Sequence, residues 1–137
     1  MNLSFQEKSL WVMFIGLLSA CGFYLNLILP VQTVNILPEQ IIFFVLAVVL
    51  LVSTQVVGHI LVALIDRRAI TDERDQLIAL KGNRNGSYVL ATGVFLALCC
   101  VILTEGTFIF THVLLGFWTL AQLVEIGSQL VAYRREA

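Results

Sequence analysis

Three ionisable side chains, His59, His112 and Glu125, fall inside long apolar runs of this chain. A titratable group at membrane depth is expensive to bury and marks a functional candidate by default. Depth can be counted from the arginine pairs that end two of these runs, at about 1.5 Å of rise per helical residue. His59 then lies about 12 Å from Arg67 and Glu125 about 13 Å from Arg134, so the two are level. Gln55 and Gln122 are level as well, about 18 Å from the same arginines. Gln55 and His59 share one helical face at i, i+4, while Gln122, Glu125 and Gln129 share another at i, i+3, i+7. Two polar stripes of matched depth make His59 and Glu125 a candidate intramembrane pair. A lone carboxylate there would be held neutral by desolvation, whereas a neighbouring imidazolium would keep both groups charged. An interhelical hydrogen bond that fixes register, a proton-linked or ligand-binding role, and no contact at all are the three readings this pattern leaves.

Two histidines also raise the question of a haem. His112 lies about 20 Å in depth from His59, too far for both to reach one iron within a monomer. A metal or cofactor is therefore not expected. Cys21, Cys99 and Cys100 lack CxxC spacing and neighbouring histidines, and fit small packing residues. No Ser-His-Asp order, phosphate-binding glycine loop or HExxH motif occurs, so no enzyme is expected.

The elements that must carry these residues follow from composition. Of 137 residues 59% are hydrophobic and 12% charged, with a mean hydropathy of +0.94. Soluble domains carry roughly 25% charged residues to keep their surface hydrated, so lipid must be the solvent for much of this one. The net charge of -1 gives no general attraction to nucleic acid, and direct binding to it is not expected. A spanning helix needs about 20 mostly apolar residues. Four segments qualify or nearly so, at residues 10–29, 41–65, 87–103 and 107–132, within a single membrane domain. The expected fold is all-α, a four-helix transmembrane bundle of two helical hairpins. The third segment is short unless it begins earlier.

Every Lys and Arg falls at one end of this arrangement: Lys8, Arg67, Arg68, Arg74, Lys81, Arg84, Arg134 and Arg135. The opposite loops, Pro30–Gln40 and Thr104–Gly106, carry only Glu39 and Glu105. Basic residues are retained in the cytoplasm, which predicts a multi-pass membrane protein with both termini inside. Leu18-Ser19-Ala20-Cys21 also fits a lipobox, but Gly22-Phe23-Tyr24-Leu25 continues the apolar run where a lipoprotein turns polar.

The cytoplasmic loop 66–86 is the one sizeable soluble segment. Thr71 suits an N-cap, with Asp72 and Glu73 in a first turn that favours acids. The stretch reads either as a short interfacial helix or as an extension of the third span. Gly82-xxx-Gly86, Gly93-xxx-Ala97 and Gly16-xxx-Ala20 place small residues on single faces, where helix backbones can approach closely. Gln55 with Arg67-Arg68 and Gln122 with Arg134-Arg135 recur at one spacing, a faint repeat that suggests two similar hairpins.

Asp72-Glu73-Arg74-Asp75, followed by Ile78 and Lys81 ahead of the third span, resembles the loop motif of an uncharacterised family of small four-helix bacterial and archaeal membrane proteins. Members of that family are often encoded beside small helix-turn-helix regulators. The resemblance implies a membrane-tethered regulatory or accessory role. Gly82 stands where an alanine is more typical, which argues against one continuous helix through the loop.

The expected function is therefore a non-enzymatic regulatory or accessory subunit, docking a cytoplasmic partner through Asp72, Glu73, Arg74, Asp75, Lys81 and Arg84. Membership of a larger membrane complex would leave the same traces. The competing reading is a small proton- or cation-coupled transporter working as a homodimer around Glu125. Small multidrug-resistance exporters are similar in size and helix count, but keep their essential Glu in the first helix, which here has no acid within residues 10–29.

Overall fold

The computed structural model describes residues 5–31, 33–65 and 72–135. It consists of four helices: α1 (Phe5–Ile28), α2 (Pro38–Ile65), α3 (Glu73–Leu103) and α4 (Phe108–Arg135). All four are long and apolar enough to cross a membrane, and the chain is a small polytopic membrane protein. The helices pack as two hairpins, α1 against α2 and α3 against α4, joined through α1 and α4. Read across the molecule the order is α2, α1, α4, α3.

α2 is apolar apart from the side that carries Gln55 and His59, and Ile42, Val45, Val49, Val52 and Val56 are all exposed. A helix whose exposed side is apolar and whose few polar groups turn inward is what lipid, rather than water, stabilises. The interior of the bundle is two clusters strung along α1. Leu10 and Leu17 meet Ile126 and Leu130 towards the chain termini. Tyr24 and Ile28 meet Ala47 towards the short loops.

α3 differs from its expected bounds, beginning at Glu73 rather than Ser87 and running 31 residues without a break. At about 1.5 Å per residue that is about 46 Å, well beyond a hydrocarbon core of about 30 Å. From Glu73 onward the loop segment is thus an extension of the third span and not a separate interfacial helix. Gly82 does not interrupt it, because its missing side chain is occupied by α4: a Cβ there would lie 2.5 Å from Gln129 Cγ and 2.9 Å from the Glu125 carbonyl oxygen. Asp72 caps the helix, accepting from Glu73 N at 2.7 Å, while Asp75 Oδ2 accepts from Asp72 N at 3.2 Å. This is a reciprocal capping box with Asp at the third helical position. Thr71, expected to cap, lies with the rest of 66–71 outside the described residues, as do the arginines at 67 and 68.

At the opposite end the two short loops are tied to each other. Phe108 N donates to Val34 O at 3.2 Å, Thr107 N to Asn35 Oδ1 at 3.3 Å, and Ile36 N to Thr107 Oγ1 at 3.2 Å. Gly106 permits this approach: its φ is +85°, and a side chain there would collide with the Val34 carbonyl. Gln40 closes the first loop from inside, accepting from Leu37 N at 3.1 Å and donating to Val31 O at 3.2 Å. It is 2% exposed, which its position in the sequence did not reveal.

Candidate functional site

The two polar stripes occupy different interfaces. His59 Nδ1 lies 2.7 Å from the Gln55 carbonyl oxygen one turn back. A carbonyl only accepts, so Nδ1 carries the proton. Nε2 lies 2.9 Å from Ser9 Oγ on α1, and in the neutral ring it accepts from that hydroxyl. Both nitrogens are thus engaged away from Glu125. Gln55 turns the same way, donating from Nε2 to Met13 O at 3.2 Å. Its Oε1 is buried without a hydrogen-bond partner.

Glu125 and Gln129 belong to the other hairpin. Glu125 lies against Gly86, whose added Cβ would be 3.0 Å from Glu125 Cβ and 3.4 Å from Oε2. Gln129 sits over Gly82, and Gln122 is half-buried on the same helix. The structure does not bring His59 and Glu125 together: α1 stands between α2 and α4. Within each hairpin a glycine of the first helix faces a polar side chain of the second, Gly16 against Gln55 and Gly82 against Gln129.

His112 has a partner that depth counting missed. Its Nδ1 lies 2.7 Å from Phe108 O, and its Nε2 2.9 Å from Tyr24 Oη. By the reasoning used for His59, Nδ1 carries a proton, and in the neutral ring Nε2 accepts from the Tyr24 hydroxyl. The rings stack, with centroids 5.9 Å apart and planes 13° from parallel. α1 therefore carries a hydroxyl–imidazole bond at each end, Ser9 to α2 and Tyr24 to α4. The signal available in the sequence was a hydroxyl in an apolar run, which no spacing links to a particular histidine.

The six loop residues divide into two groups. Asp72 and Asp75 hold the start of α3, and Asp75 Oδ1 also accepts from Tyr133 Oη on α4 at 2.7 Å. Glu73, Arg74, Lys81 and Arg84 are exposed. Ile78, Gly82 and Gly86 form the buried side of this extension. Leu77 and Leu80 lie on the other side, 58% and 65% exposed. Asn85 Nδ2 donates to Ser128 Oγ at 3.1 Å, a further tie to α4. The extension is thus a helix fastened along one edge, offering a stripe of Leu77, Leu80, Lys81 and Arg84 at i, i+3, i+4, i+7. No family model, curated protein or solved structure matches this chain, so the loop resemblance rests on its motif alone.

Proposed function

We propose that this protein is a non-enzymatic regulatory or accessory subunit of a bacterial inner membrane, docking a cytoplasmic protein through the exposed edge of the α3 extension. The observation that carries this reading is the pairing of exposed Leu77 and Leu80 with Lys81 and Arg84 on a helix whose other side is held by α4. Apolar anchors flanked by charge suit protein recognition, with the charges steering and setting register. The one-sided distribution of Lys and Arg supports a cytoplasmic location for this end of the bundle. The partner's matching surface would be an apolar groove with an acidic rim.

The test is co-purification from membranes of the native host with Lys81→Glu and Arg84→Glu combined, followed by melting of the purified variant. Exposed charges contribute little to folding, so the bundle should melt as the wild type does while a specifically recovered protein is lost. Unchanged recovery of that protein with both charges reversed contradicts the docking reading.

A further inference from the structure

A cavity of about 470 Å³ lies between α1, α2 and α4. A second of about 430 Å³ adjoins it, and the two share Tyr24, Phe44, His112, Leu115 and Trp118. Each falls in the range of about 300–1,000 Å³ typical of small-molecule sites, and the walls are mostly apolar with few polar groups. The first runs from Tyr24 and His112, near the short-loop end, to Leu123, about 16 Å further along α4.

Gly116 lines this cavity, and an added Cβ there would meet nothing within 4 Å. A glycine inside a helix costs about 1 kcal/mol relative to alanine. Gly16, Gly58, Gly82, Gly86 and Gly93 offset that by close approach of a neighbouring helix; Gly22, Gly116 and Gly127 meet nothing within 4 Å, and of these three Gly116 lines this cavity.

The polar groups of the wall specify what could fill it. Tyr24 is 7% exposed and its hydroxyl donates a hydrogen bond to the neutral His112 ring, whose Nδ1–H donates to Phe108 O. Thr119 gives its hydroxyl proton to Leu115 O at 2.9 Å. The Tyr24 oxygen keeps acceptor capacity, strengthened by the bond it donates. An occupant with an apolar body and one hydroxyl donor matches this wall, its hydroxyl towards the short-loop end and its chain directed inward. We infer that the cavity beside Tyr24, His112 and Gly116 binds a hydroxyl-bearing amphiphile drawn from the bilayer.

The test uses the full chain with Trp11→Phe, which leaves Trp118 on the cavity wall as the sole tryptophan. Its fluorescence is titrated in lipid nanodiscs with 11-bromoundecan-1-ol and, separately, with 1-bromoundecane. Saturable quenching is expected, at about five-fold lower concentration for the alcohol, the value of one hydrogen bond. Adding Tyr24→Phe with His112→Leu should equalise the two probes. Adding Gly116→Leu should remove the saturable component for both with helix content unchanged. Because its side chain enters open space, that variant remains decisive even if the double variant fails to fold. Quenching that never saturates, that shows no preference for the alcohol, or that survives Gly116→Leu overturns the inference.

Discussion

The α3·α4 seam and the α1–α2–α4 groove use the same residue type to opposite ends. In the seam, Gly82, Gly86 and Gly93 are filled by the partner helix, and a Cβ on Gly93 would collide with Phe117 Cβ. In the groove, Gly116, one residue from that same Phe117, faces empty space. One side of α4 is thus closed as tightly as backbones allow, and another is held open. In lipid no hydrophobic force draws helices together, so close contact and hydrogen bonding must do so. The seam has both, in its glycines and in the Asn85–Ser128 and Tyr133–Asp75 bonds. The groove has no comparable filling between α2 and α4, and its walls stay apart.

The difference can be broken most severely at the middle of the seam. Gly86→Val should destabilise the bundle by about 3 kcal/mol or more, the upper range for overpacking. The new side chain would press on the Ala121 carbonyl oxygen and Glu125 Cβ, neither of which is the far end of a flexible side chain. The check is the fraction folded against denaturing detergent, compared with wild type. Tyr133→Phe should have a smaller effect, about 1–2 kcal/mol, by removing a hydrogen bond to a carboxylate. The same assay measures it, and hydrogen exchange should localise the loosening to the first turns of α3.

Much of this architecture was legible beforehand. Apolar runs of spanning length located all four helices, and the small-residue spacings marked the faces along which they pack. The start of α3 stayed open between an interfacial helix and an extension of the third span because Gly82 and Gly86 have low helix propensity, and only contact with α4 shows why the helix tolerates them. The His59–Glu125 pairing failed for a different reason. Helical rise supplies depth, but neighbour relations depend on which helix stands between, and the order α2, α1, α4, α3 is written in no local pattern. Tyr24 and His112 escaped for the same reason. Gly93 carried a packing signal in its spacing from Ala97, whereas Gly116 stands between His112 and Leu120 at that spacing and carried none. The packing closes the first, as its spacing suggested, and only the packing shows the second to face open space.

That assignment is tested most directly by introducing a single methyl group at each position. Gly93→Ala and Gly116→Ala make the same chemical change and gain the same helix propensity, about 1 kcal/mol. Thermal unfolding of both in lipid nanodiscs should give opposite signs. At Gly93 the methyl meets Phe117, so the melting temperature should fall; at Gly116 it meets open space, so the melting temperature should hold or rise. A rise at Gly93, or a fall at Gly116, would contradict the division of α4 into a closed side and an open one.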